Sequence, residues 1–328
     1  MMIKKSFLAI FFCFGTMLAW SAEVDNYTGR FDQDLKDSTD VFNQKTNEFF
    51  RKGLKNANRG LLKCNEKKLY FHLQKYFNST FFGEIVRWVN ETNSLEKRFI
   101  SVKESIYRDF SPGESIVLGL LSKLRPVHSP NLRMGEVYLG SDKFEHFFSS
   151  GFRYFKAHYR KGKTLKKTLM IGLKEEYGIL GRLPTGVISY ADLAADFNGM
   201  RFWNHVLQKK SDVLGPENDF GPYVKCINKK WTLVKEMNWS DYLDDSMDEA
   251  INCSQFKKKS MVEKIKKRLS ELPVPYQRIM TCPISRDRLN KVILKYGKYS
   301  EFFINHDGLR AADLEDNPLE KLKKMDDI

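Results

Sequence analysis

The sequence predicts a mainly α, helical globular domain with a small β-hairpin, and three observations carry that prediction. Apolar residues recur at three- and four-residue steps through most of the 328-residue chain, which is the helical period. Alternation typical of strands is confined to short stretches such as MGEVYLG. No internal repeat, low-complexity tract or Pro/Gly/Ser linker divides the chain.

The first residues, MMIKKSFLAIFFCFGTMLAWSA, join Lys4 and Lys5 to an apolar run from Phe7 to Trp20 and a small-residue exit. That is the layout of a signal peptide over residues 1–21, cleaved after Ser21, with an uncleaved anchor as the competing reading. No later stretch is apolar over the roughly 20 residues that a spanning helix needs. The mature chain is therefore expected to be periplasmic or secreted, without a transmembrane segment but able to associate peripherally with a surface.

Removing residues 1–21 takes away two lysines and no acid, so the formal charge of +14 falls to +12. A chain this basic suits polyanions such as anionic lipid or wall polymers, and export sets nucleic acid aside. The lysines are spread along the chain, which also fits ordinary solvated helix faces. After cleavage Cys64, Cys226, Cys253 and Cys282 remain, an even set that predicts two disulfides. Of three connectivities, a local Cys226–Cys253 clip and a long Cys64–Cys282 tie are expected. Their spacing matches no close-paired zinc motif.

In chain order, residues 22–125 read as an N-terminal helical region. It has an irregular start, a helix around Phe42–Leu54, and helical periods in LYFHLQKYF and SIVLGLLSKL. Pro126 and Pro130 then break the chain, opening the motif region 126–215. Residues 216–328 form a C-terminal helical region, with helices in SMVEKIKKRLSEL and SRDRLNKVILKYG, and join the motif region in one compact domain.

The motif region holds the chemistry. In GSDKFEHFFSSGFRYF, Asp142 is placed to cap a helix and Glu145 to complete a capping box. Asp142, His146, Ser149 and Arg153 then share a stripe, while phenylalanines cover the rest of the circumference. A solvent face would look similar, but aromatic residues on most sides imply enclosure. A histidine beside a carboxylate is tuned near neutral pH. In LKKTLMIGLKEEYG, Thr168, Gly172 and Glu175 share a small-and-polar stripe while Glu176 falls on a leucine-bearing side. Glu175 also lies near a helix C-terminus, where the helix dipole disfavours an acid, so it needs a partner or an extra proton. A carboxyl group that keeps its proton is what a general acid requires. Gly181, Pro184 and Gly186 then read as a turn or small hairpin, and Ser189 with Asp192 as a second capping box. Asp192, Asp196 and Gly199 share a face of the next helix, whose small residues permit close approach, and Asn198 is free to bond a substrate or the helix interior.

These three motifs together resemble the VanZ-like proteins and the YfiM-type outer-membrane lipoproteins of bacterial envelopes. The shared outline, Asp-Lys-x-x-His, then Lys-Glu, then Asp-x-x-Ala-Asn/Asp-x-x-Gly, falls on Asp142, Lys143 and His146, on Lys174 and Glu175, and on Asp192, Ala195, Asp196 and Gly199. The resemblance implies a three-helix site in the envelope, although VanZ-like proteins are membrane-embedded and these helices are too charged for that. The order apolar helix, Glu, hairpin also resembles lysozyme-like glycosidases and lytic transglycosylases, without the Gly-Leu-Met-Gln-type sequence of the latter.

The expected function is an exported envelope enzyme that cleaves a glycan, hydrolase or lytic transglycosylase, with peptidoglycan or another anionic envelope polymer as partner. Glu175 would be the general acid and Asp192 the second carboxylate, assisted by His146. Asp142, Lys143, Arg153 and Asn198 would bind substrate. The alternative is a non-catalytic envelope protein that binds lipid or a wall component through a polar, helix-packed site. A metal-dependent hydrolase using His146, Asp142, Glu175 and Asp192 ranks third because the stripe holds one histidine, so neither metal nor cofactor is expected. The acidic run WSDYLDDSMDEAINCS reads as a solvated helix face bearing Asp241, Asp244 and Asp248, with a cation or partner site in reserve.

Overall fold

The computed structural model describes residues 23–30, 34–78, 83–123, 128–178, 181–273 and 279–311. The signal peptide and its cleavage point lie outside these residues, as does Pro126. The protein is mainly helical with small sheets. Helix α1 (Thr39–Ala57) covers the span predicted from Phe42 to Leu54 and buries Phe42, Phe49, Phe50 and Leu54. Helix α2 (Glu66–Phe77) begins where the Asn65 side chain accepts from the Lys68 N–H, and α3 (Glu84–Glu91) follows. SIVLGLLSKL yields only one α-turn, Ile116–Gly119, and a 3-10 turn. Strands β1 (Asn131–Met134) and β2 (Val137–Gly140) form an antiparallel hairpin, so MGEVYLG is a turn at Gly135 plus one strand.

Helix α4 runs over 142–160 and alternates in type. Regular turns at Asp142–Glu145 and Gly151–Phe155 are interrupted by π turns at His146–Ser150 and Lys156–Arg160. A π turn re-phases the side chains that follow it and is common at functional sites. Helix α5 (Leu165–Glu176) is capped by Thr164, and α6 (Tyr190–His205) by Ser189. All of α6 is buried, polar residues included, so each of its charges needs a counterpart. The expected turn at 181–186 forms, but β3 (Val187–Ile188) does not close a hairpin there. It pairs with β6 (Gln255–Phe256), which also pairs with β7 (Arg310–Ala311). A second hairpin joins β4 (Val224–Ile227) to β5 (Lys230–Leu233), and helices α7 (Lys259–Glu271) and α8 (Arg286–Tyr296) follow.

The main core draws on all three regions: Phe42 stacks on Phe144 at 4.4 Å and Phe77 on Phe148 at 4.9 Å, with Trp203 and Trp239 beside them. Fully burying each such ring contributes about 1.5–3 kcal/mol. A smaller core gathers Tyr27, Phe110, Val187, Phe256 and Met261. Helices α4 and α6 cross at glycines. A Cβ on Gly199 would lie 1.8 Å from the Phe147 carbonyl oxygen, and one on Gly151 would lie 2.6 Å from Gly199 Cα. Only glycine permits that approach, and it is what carries α4 onto the acidic end of α6.

The disulfides are Cys64–Cys226 and Cys253–Cys282, neither of the expected pairs. Sequence proximity misleads here because Cys226 lies in the β4–β5 hairpin, which packs on the loop after α1, while Cys253 meets the segment between α7 and α8.

Candidate functional site

Ser189 organises the start of α6. Its Oγ accepts from the Asp192 N–H at 3.2 Å, as the capping box predicts, but its own N–H donates to Glu176 Oε2 at 3.2 Å. The Asp192 carboxylate is thereby left free to act elsewhere. The predicted Asp142 cap is absent: α4 starts after Ser141 with no side-chain cap, and Asp142 accepts from a lysine instead.

That lysine, Lys143, is 1% exposed, and its ammonium lies 2.8 Å from Asp142 Oδ2, 2.6 Å from Asp192 Oδ1 and 2.8 Å from Glu249 Oε1. The ammonium donates to Asp142 and Glu249 and forms an ion pair with Asp192. Burial alone would lower the Lys143 pKa, but Asp142, Asp192 and Glu249 outweigh it and hold the group charged. Burial pushes Glu249 up to about 7 even against the pull of Lys143, and Ser189 Oγ donates to the same Glu249 oxygen at 2.9 Å.

His146 stands on the other side of Asp192. Its Nδ1 meets Asp196 Oδ1 at 3.0 Å, and its Nε2 faces Asp192 Oδ2 at 3.3 Å. Ligand atoms of His146, Glu176 and Asp192 all lie within 4.8 Å of one another. Metal bonds of about 2.0–2.2 Å at the usual angles set neighbouring ligand atoms roughly 3–3.5 Å apart. The His146–Asp192 spacing therefore suits two ligands of one ion. A metal-bound histidine characteristically gives its other ring N–H to a carboxylate, the part Asp196 plays here. His146, with 13% of its side chain exposed, is the accessible edge of the site.

The buried carboxylates crowd one another. Glu176 is raised well above the usual carboxylate range by burial and by the Asp192 charge, and Glu23 by burial and by Glu249 and Asp192. Asp196 is pushed up to about 6 by burial, against the pull of His146. Asp192 itself is lowered, because His146 and Lys143 together outweigh its burial. Burial would lower the His146 pKa, but Asp192 and Asp196 raise it well above the usual value. Glu23 Oε2, Asp142 Oδ1 and Glu249 Oε2 are buried without a hydrogen-bond partner. Each such oxygen calls for a proton or a cation.

Of the residues singled out in the sequence, the structure brings Asp142, Lys143, His146 and Asp192 together. It engages four others elsewhere. Glu175 is bound bidentately by Arg153, both bonds 2.6 Å, so the proposed proton donor and the proposed substrate-binding arginine neutralise each other. Asn198 is fully buried and bonds Tyr296 Oη and the Ala194 carbonyl, inside the core. Glu145 completes no capping box, and burial pushes its pKa up to about 7. The residue that sequence reasoning missed beside Glu175 is Glu176. The steps Thr168, Gly172, Glu176 were a usable signal, since small residues four apart mark the face of α5 that meets α6. Glu23 and Glu249 come from distant parts of the chain. The acidic run that holds Glu249 is no solvated helix face: Asp244 bonds Lys295 and Tyr296, Asp245 bonds Arg288, and buried Asp248 bonds Arg30.

Comparison with protein-family models, with curated proteins and with solved structures finds no match for this chain.

Proposed function

We propose that this is an extracytoplasmic metalloprotein of the bacterial cell envelope, in which His146, Glu176 and Asp192 hold a divalent transition-metal ion and Asp196 orients the imidazole. The observation that carries the reading is the His146 geometry: one ring nitrogen is fixed by a carboxylate at 3.0 Å and the other is set at ligand spacing from Asp192. One imidazole with two carboxylates suits Mn, Fe(II) or Zn. An ion so held would supply a water of lowered pKa for hydrolysis. The two disulfides support an oxidising compartment, and the resemblance to envelope proteins supports the same location. The charge of +12 beyond Ser21 favours an anionic envelope polymer, peptidoglycan included, as substrate.

Glycan cleavage by a carboxylic-acid donor loses its donor at Glu175, which Arg153 neutralises. A second reading, a buried polar network that only fixes helix packing, is favoured at Lys143, which forms ion pairs with three buried carboxylates. Metal analysis of protein purified without chelators separates the readings. About one ion per chain is expected for wild type and none for His146→Ala, with chelation lowering the melting temperature of wild type alone. Absence of bound metal, together with no response to added zinc or manganese, would leave the packing reading. Sacculus digestion that survives chelation would restore a carboxylate mechanism.

A further inference from the structure

The loop between α1 and α2 and the end of the β4–β5 hairpin are joined to each other, and their composition is unlike the rest. Leu61 is 95% exposed, Leu62 63% and Ile227 44%. Arg59, Lys63, Lys225, Lys229 and Lys230 surround them in sequence and are all exposed. Residues 58–65 and 223–235 contain no acid, and among the described residues no carboxylate pairs with these five cations. The two segments are held together at both ends. Cys64 is joined to Cys226, and the Asn58 side chain makes a two-way clasp with Trp231, donating to its carbonyl at 2.9 Å and accepting from its N–H at 2.8 Å. Asn228 and Lys229 both have positive φ, 48° and 62°, the backbone of a tight two-residue hairpin turn that sets Lys229 at the tip.

Exposed leucines on a fixed, disulfide-tied loop would cost stability against aggregation unless something covers them. We propose that these joined segments dock on an anionic lipid bilayer, with Leu61, Leu62 and Ile227 entering the headgroup layer and the basic side chains bonding lipid phosphates. Charge complementarity chooses an anionic partner, and the apolar tip chooses a bilayer over a soluble polyanion, which offers an inserted leucine nothing. The inference is independent of the metal centre, whose residues lie in α4, α5 and α6.

The test is vesicle flotation of the chain from Ala22, which contains every described residue, with phosphatidylglycerol/phosphatidylethanolamine vesicles against phosphatidylcholine alone. Binding to the anionic vesicles that weakens with salt is expected, and each of Lys229→Gln and Lys230→Gln should weaken it about fivefold. Leu61→Ser/Leu62→Ser should release the protein from vesicles while leaving charge, melting temperature and metal content unchanged. The proposal is overturned if no vesicle binds, or if the leucine variant binds as the parent does. In the second case, loss in the lysine variants alone would mark a surface for soluble polyanions.

Discussion

Helix α6 carries two buried polar clusters, and they are built on opposite rules. At its C-terminal half, Arg201 donates to both oxygens of Asp212 at 3.0 and 2.9 Å, and His205 lies 2.9 Å from the same carboxylate. Tyr242 Oη meets His205 Nδ1 at 2.7 Å, and the Leu214 N–H donates to Asp212 at 2.8 Å. One acid faces one fixed cation, and burial lowers the His205 pKa, so that histidine stays neutral. At its N-terminal half, Asp192 lies beside Glu176, Glu249 and Asp142 and within electrostatic reach of Glu23, and among the described residues the cations that form ion pairs with Asp192 and Asp196 are Lys143 and His146. In the first cluster an arginine balances the Asp212 charge; in the second the carboxylates outnumber the cations. A buried network whose charges balance holds helices together, whereas a surplus of one sign marks a place for something else.

That contrast can be broken by substitution. The largest effect is expected for Arg201→Met, which strands Asp212 and should cost about 3–5 kcal/mol in denaturant unfolding, with or without metal. A mild change would mean that the C-terminal network is not the closed packing device described. Next comes Glu114, a carboxylate on the smaller core whose oxygens accept from Ser111, Ser260 and Lys264. Burial opposes ionisation there, but these bonds win and lower its pKa to about 2. Its stabilisation should be complete above the ordinary value of 4.5 and vanish as pH falls towards 2, by up to about 3 kcal/mol. Glu114→Gln should flatten that part of the acid-unfolding curve; an unchanged curve would count against the assignment.

Asp196→Asn tests the other half of α6. If Asp196 orients a ligand, metal affinity should drop by about 10–100-fold with little loss of stability in chelator. A stability loss without any change in metal affinity would make Asp196 a packing residue like Asp212. The smallest effect is expected for Glu175→Gln. Its ion pair with Arg153 is partly exposed and worth about 0–1 kcal/mol, and metal content should not change. Glu176→Gln, one residue on, should lose the metal; the reverse pattern would restore the residue chosen from sequence.

Much of the fold was legible because helix signals are local. Ser189 caps α6 and α1 covers Phe42 to Leu54 as the periods indicate. Asp142, Lys143, His146 and Asp192 were likewise legible as a group, since charge among phenylalanines on a crowded helix implies enclosure. Glu175 was chosen over Glu176 because helical spacing groups it with Thr168 and Gly172 and puts Glu176 on a leucine-bearing side, whereas which acid turns inward depends on how α5 lies on α6. The disulfide partners were misread for the same kind of reason, as spacing along the chain says little about which loops pack together.

By itself, the sequence determined the helical class, an even set of cysteines and a polar line within an aromatic helix, all properties of neighbours a few residues apart. The tertiary structure alone decided that Glu23 and Glu249 join that line, that Arg153 turns to Glu175, and that a disulfide ties the loop of Leu61 to the hairpin of Ile227. Burial and charge balance depend on distance in space. The glycine crossing of α4 and α6 and the two disulfides bring those distant residues together.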